Sequence, residues 1–286
     1  MTGCDRLRIR HVTDHSTEGP SLASIRWLAK KNETGAGKAG RVIQLKEINL
    51  IMLKNDLILR NPLRMIGKKD EEILLGGGFG AVLARAGVGK TALMVQMALN
   101  ALLQSKKILH ISLNDPVEKV RLWYKEVFSN IAEQYQVKQI DKLWEDILPY
   151  RFIMTFKVEG FSVPKLEERL TDLIEQNIFS PREILIDGLP FDESTRESLL
   201  QLKALAKRFG FSVWFSVRTH RHEEPGPEGI PVQLLPVVDL FDVAIELKPE
   251  GKDIYVRALK GGGDLGQPPL MLDPSTMLLK DTNQSA

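Results

Sequence analysis

The sequence is short of the features that mark several large classes of protein. It contains one cysteine, Cys4, which excludes an internal disulfide framework and fits a reducing compartment. No uncharged apolar stretch approaches the roughly 20 residues that span a bilayer, and the N-terminus lacks a signal-type apolar core. The expectation is a cytoplasmic protein without a membrane partner. One-sided charge is missing as well: 39 Lys and Arg face 37 Asp and Glu, leaving a net charge of +2. That bias is too mild to argue for nucleic acid or anionic membrane as a partner. What remains is ordinary for a globular chain, 43% hydrophobic and 27% charged residues, with length enough for one large domain plus an appendage.

Against this background one stretch stands out. Ala84 to Thr91 reads Ala-Arg-Ala-Gly-Val-Gly-Lys-Thr and follows the apolar run Ala81, Val82, Leu83. It is a P-loop pattern with one substitution, Ala84 in place of the first glycine. Gly87 and Gly89 would let the backbone wrap closely around phosphate oxygens, so that the amides of Arg85, Ala86, Gly87, Val88, Gly89 and Lys90 turn inward as donors. Lys90 would reach the terminal phosphates. Thr91 would offer its hydroxyl to Mg²⁺, and the start of the following helix adds its positive dipole end. The plainer alternative is a glycine turn between a strand and a helix. Ala92 to Leu103 reads as a helix apolar almost all round, which suits a buried element.

Residues 1–20 lack any period and are expected to be loose. Ser21 is a candidate cap for a short helix through Lys31, ended by glycines at 35, 37 and 40. Gly37-Lys38 is rejected as a second P-loop, because Ala39 offers no hydroxyl and Asn32 occupies the place of the first small residue. Arg41 to Arg60 fits either two strands joined at Lys54-Asn55-Asp56 or one amphipathic helix, packed on its own core or facing a membrane surface or a neighbouring subunit. From Leu74 on, strands and helices alternate: strands over Lys107 to Leu113, Arg151 to Phe156, Glu183 to Ile186 and Ser212 to Val217, with helices from near Pro116, over Val163 to Gln176 and over Ser194 to Arg208. This implies an α/β fold with a mostly parallel twisted sheet and helices on both faces, ligands sitting at the carboxyl ends of the strands. Glu223 to Pro231 reads as a mobile loop. Val243 to Leu247, Ile254 to Leu259 and Leu270 to Leu272 lack intervening helices and predict an antiparallel C-terminal extension.

Ile184-Leu185-Ile186-Asp187 looks like a Walker B strand, whose last residue presents a carboxylate where Mg²⁺ would be held. With Leu75-Gly76-Gly77-Gly78, Gly87-Val88-Gly89-Lys90-Thr91, His110-Ile111-Ser112-Leu113 and Phe241-Asp242-Val243 leading to Val256 to Lys260, the chain resembles a RecA-like P-loop ATPase of the KaiC/RadA-like group. The resemblance covers roughly residues 62–280 and implies a RecA-like nucleotide-binding domain there; it leaves unmatched an N-terminal arm over 1–61, expected from its composition to be partly disordered, and a tail at 281–286. It implies ATP and Mg²⁺ as cofactors, with the metal held by Thr91 and Asp187. The family's catalytic glutamate follows the second strand, and the matching position is Asn114. An amide cannot act as a general base, although it can hydrogen-bond a water. Asp115 is next in line and Glu118 lies about one helical turn on; the alternative is that Asn114 and Asp115 cap the helix near Pro116. The family's sensor strand lies between the P-loop and Walker B strands. Its polar residue here would be Arg218, in Arg218-Thr219-His220-Arg221-His222, a phosphate sensor, a partner contact or a solvated basic loop. Where the family places a Lys-x-Arg pair against a neighbouring subunit, this chain has Lys260-Gly261-Gly262, so a ring or dimer is compatible but not implied.

Three functions follow from the resemblance. The first is an ATP-binding protein with slow or partner-dependent hydrolysis. The second is a nucleotide-gated interaction or signalling module that does not turn ATP over, favoured by Asn114. The third is a DNA recombination or repair ATPase, discouraged by Asp192, Glu193, Glu223 and Glu224 in the loops that would meet DNA.

Overall fold

In a computed structural model of the chain, the described residues are 38–66, 73–192, 195–220, 223–261 and 270–281. The expected loose segment over 1–20, the helix from Ser21 to Lys31, the breaks at 35 and 37, Glu193, Arg221, His222, Gly262 and the tail beyond Asp281 lie outside them. The chain divides into two units, Met1–Met52 and Leu53–Ala286. Helix α1, Lys38–Arg60, begins in the first and ends in the second. Arg41 to Arg60 is therefore one helix and not two strands. Its Leu, Ile, Lys, Arg and Glu residues are mostly good helix formers, and Asp56 pairs with Arg60 one turn on at 2.9 Å, which ties the polar Lys54-Asn55-Asp56 segment into the helix.

In the second unit the alternation becomes a nine-stranded sheet. Its elements in order are β1 (Phe79–Ala84), α2 (Lys90–Leu103), β2 (Ile108–Ser112), α3 (Val117–Gln134), α4 (Ile140–Ile147), β3 (Arg151–Thr155), α5 (Val163–Glu175), β4 (Glu183–Asp187), α6 (Thr195–Phe209), β5 (Ser212–Arg218), β6 (Val243–Glu250), β7 (Asp253–Lys260), β8 (Leu270–Leu272) and β9 (Leu279–Asp281). The strand order is β3-β2-β4-β5-β1-β6-β7-β8-β9. The first six positions pair in parallel and the last three joints are antiparallel. This is an α/β fold with a mostly parallel sheet, and the antiparallel extension is present with one strand, β9, more than the sequence suggested. Helix α4 was not foreseen either.

Strand alternation decides which helices cover which face. Phe79, Ala81 and Leu83 share one apolar cluster with Ile184, Ile186, Phe215 and Val217 and with Leu166 and Leu170 of α5 and Leu199 and Leu202 of α6. The intervening residues face α2 and α3, as the buried His110 of β2 does when it meets Tyr124 of α3. Gly80 is obligatory on that side, because a β-carbon there would overlap the ring of Trp214, its partner across β5. Asp242 closes the start of the sheet: its carboxylate accepts from the Phe79 amide at 2.8 Å and its own amide donates to the Phe79 carbonyl at 2.8 Å. Among the described residues no helix is long and apolar enough to cross a membrane.

Candidate functional site

The parallel registers align the carboxyl ends of four strands. Ala84 lies opposite Arg218, and Ser112 opposite Asp187. From the end of β1 the chain turns through Arg85 to Gly89 into α2. Gly87 has φ +77° and Gly89, the residue preceding α2, φ +112°, a region that L side chains rarely adopt. Among the described residues, no amide from Ala86 through Gly89 donates to a backbone carbonyl, and the first turn of a helix leaves further amides without intrahelical acceptors. A β-carbon on Gly87 would meet nothing within 4 Å, whereas one on Gly89 would sit 2.6 Å from a Leu272 methyl and 3.4 Å from the Met277 sulfur. The turn is thus open on one side and backed by the β8–β9 hairpin on the other.

Lys90 lies across this turn, its Nζ donating to the carbonyls of Ala84 at 2.8 Å and Arg85 at 3.0 Å. Burial lowers its pKa; the Asp187 carboxylate opposes that shift and the Arg218 guanidinium adds to it. The next residue, Thr91, donates its hydroxyl to Asp187 Oδ2 at 2.8 Å. Strand β5 lies between β1 and β4, so this contact reaches across a whole strand. The other carboxylate oxygen, Oδ1, accepts from Ser216 Oγ of β5 at 2.5 Å, and that hydroxyl accepts from the Gly188 amide at 3.0 Å.

Beyond β2, Asn114 is solvent-exposed and its side chain lies over Gly188, the residue after Asp187; with φ +93° and the Asn114 amide where a β-carbon would go, position 188 admits only glycine. The Asp115 amide donates to Ser112 Oγ at 3.0 Å, and its carboxylate pairs with Lys119 at 2.9 Å. The capping alternative for Asn114 and Asp115 is corrected here: the N-cap of α3 is Pro116, with no side-chain cap hydrogen bond. One side chain is drawn to Gly188 and the other to Lys119. Glu118 is exposed in the first turn of α3, Arg218 is exposed at the end of β5, and Lys260 donates to the Val238 carbonyl of its own chain at 2.8 Å.

His110 lies on the same face of β2 as Ser112, two residues nearer the strand's start. Its Nδ1 is 3.2 Å from the Tyr124 hydroxyl, while the buried Nε2 has no hydrogen-bond partner. Burial pushes its pKa down to about 4, against the attraction of Asp187. Among the described residues no group of three or more His, Cys, Asp or Glu is placed to hold a metal ion.

The turn residues 84–91 and Asp187 therefore meet in one place, with Asn114, Asp115 and Arg218 around them. Ser216 is the neighbour that sequence reasoning missed. The available signal was a hydroxyl inside the otherwise apolar strand Val213-Trp214-Phe215-Ser216-Val217, where a buried polar group needs a partner. The chain matches no protein-family model and no curated protein.

Proposed function

We propose that this is a RecA/KaiC-like ATP-binding protein, in which a nucleoside triphosphate binds with Mg²⁺ at the Ala84 to Thr91 turn and hydrolysis is slow or dependent on a partner. The observation that carries the reading is the hydrogen bond from Thr91 Oγ1 to Asp187 Oδ2 beside a glycine turn whose amides are unclaimed. The residues fit the ligand in kind. Free amides, the α2 N-terminus, Lys90 and Arg218 supply donors and positive charge for phosphate oxygens. Thr91 and one carboxylate are the usual protein share of a magnesium site, the ion keeping several waters and phosphate oxygens as its other ligands. The sheet order supports the same assignment, since β5 occupies the sensor-strand position between β1 and β4. Bound magnesium would supply charge neutralisation at the phosphates.

The rival reading is a nucleotide-gated interaction or signalling module that binds without turnover. It is favoured by the Asn114 amide at the position of the family's glutamate and by the pairing of Asp115 with Lys119. Binding of labelled ATP, GTP and their diphosphates, with sizing in each state, tests the shared part; phosphate release at saturating Mg-ATP separates the two. We expect Lys90→Ala to abolish binding and Asn114→Glu to raise the release rate. Tight binding with no release from any variant would select the rival, and absence of nucleotide binding by the wild-type chain would refute both. A DNA-directed ATPase remains the third reading; affinity for single-stranded DNA falling steeply with salt would be its signature.

A further inference from the structure

The Asp187 carboxylate is gripped from both sides, and only one grip comes from the sequence motifs. Thr91 holds Oδ2. Ser216 holds Oδ1 at 2.5 Å and is itself oriented by the Gly188 amide at 3.0 Å. Ser216 is 4% exposed and lies between the buried apolar Trp214, Phe215 and Val217 of its strand, so its hydroxyl has few alternatives to this pair of bonds. A hydroxyl that spends its hydrogen on Oδ1 and its lone pair on Gly188 has one rotamer available. It transmits that fixed position to the carboxylate by a short, charge-assisted bond.

We propose that Ser216 is the positioning residue of the metal end of this site: it holds Asp187 in the rotamer that serves a hydrated divalent cation beside Thr91. The proposal rests on the nucleotide reading above and deepens it. Without Ser216, Asp187 keeps its charge but loses one of its two anchors, and Oδ1 is free to rotate away. The consequence is confined to the part of nucleotide affinity that depends on metal, because Ser216 bonds Asp187 and Gly188 and not the turn, whose Lys90 is held by the Ala84 and Arg85 carbonyls. A hydrogen bond to a charged group carries roughly a tenfold effect or more.

The test is titration of a fluorescent ATP analogue into wild type, Ser216→Ala and Ser216→Thr, each in Mg²⁺ and in EDTA, with thermal unfolding of each protein alongside. We expect the affinity gained on adding Mg²⁺ to shrink about tenfold in Ser216→Ala and to be largely restored in Ser216→Thr, which keeps the hydroxyl. The proposal is overturned if Ser216→Ala retains the full Mg²⁺ gain, if its affinity falls by the same factor in Mg²⁺ and in EDTA, or if both variants unfold or behave alike. Wild-type protein that binds no nucleotide under either condition overturns the nucleotide reading itself; wild-type protein that binds equally in Mg²⁺ and EDTA overturns the metal role alone.

Discussion

Gly87 and Gly89 stand two residues apart, and alanine at each should separate what the turn's backbone requires from what its packing requires. At Gly87, φ +77° is unfavourable for an L residue by about 1–2 kcal/mol, and the new methyl meets nothing within 4 Å, so the cost stops there. At Gly89, φ +112° lies outside the left-handed well and costs of order 1–3 kcal/mol. The methyl would also sit 2.6 Å from Leu272 Cδ2. Leu272 is fully buried and cannot step aside cheaply, which adds about 1–3 kcal/mol of overpacking. Gly89→Ala should therefore be less stable than Gly87→Ala by about 2 kcal/mol, a difference of roughly 1 M in urea midpoint at an m-value near 2 kcal/mol/M. Equal midpoints, or a Gly89→Ala protein as stable as wild type, would refute the reasoning. Under the proposed function the order reverses for the ligand: Gly87→Ala, folded but with a methyl on the open side of the turn, should bind labelled ATP distinctly more weakly than wild type.

Lys90→Ala should lose nucleotide binding while its unfolding free energy changes by no more than about 1 kcal/mol, since Nζ bonds only two carbonyls of its own turn; thermal unfolding with and without Mg-ATP reads both. For His110 the sign follows from counting protons: below pH 6.5 the unfolded chain takes up a proton that the folded one refuses until about pH 4, so stability falls as pH drops through that window, by on the order of 3 kcal/mol. His110→Phe should flatten that slope, and an unchanged slope contradicts the assignment. Asp273, held down to about 2 by Ser275 and Lys280, contributes with the same sign at lower pH, its stabilisation being present above its ordinary value near 3.8 and lost as pH falls towards 2. Gln96→Leu should cost about 2–5 kcal/mol and speed exchange of the Leu279 amide, because Gln96 accepts from that amide at 2.8 Å and donates to the Met277 carbonyl at 2.6 Å; unchanged exchange would contradict this anchoring.

The parallel half of the sheet was legible because buried strands and amphipathic helices write their periods into the sequence. Ile184-Leu185-Ile186-Asp187 and the helix over Val163–Glu175 were located to within a residue at their described ends. Short elements carry no such signal. Leu279–Asp281 is three residues long, less than two periods of a strand, and is held on α2 by Gln96, whose amide in an apolar helix reads as an exception and not as an anchor. The Lys54-Asn55-Asp56 segment leaves a strand pair and a helix equally open in the sequence, because turn-forming residue types also suit the exposed side of a helix when an i, i+4 partner such as Arg60 is present. Asn114 and Asp115 have the chemistry of helix caps, and only their neighbours in space, Gly188 and Lys119, explain why Pro116 ends up at the cap instead.

The charges around the turn divide the proposed chemistry into a part that is assembled and a part that is held back. Lys90, Arg218 and the unclaimed amides suit a polyphosphate, and Asp187 is fixed at both oxygens. A base for hydrolysis is what is withheld: the side chain at the family's glutamate position is an amide, and the nearest carboxylate along the chain is engaged by Lys119. That engagement is weak, however. The pair is an i, i+4 contact with Lys119 57% and Asp115 25% exposed, the kind worth about 0.3–0.5 kcal/mol. A partner binding this loop could release Asp115 at a cost far below the free energy of even a micromolar contact, about 8 kcal/mol. Under the proposed function, partner-dependent turnover needs only that small release, whereas unaided turnover would have to work with Asp115 paired and Glu118 a helical turn further on.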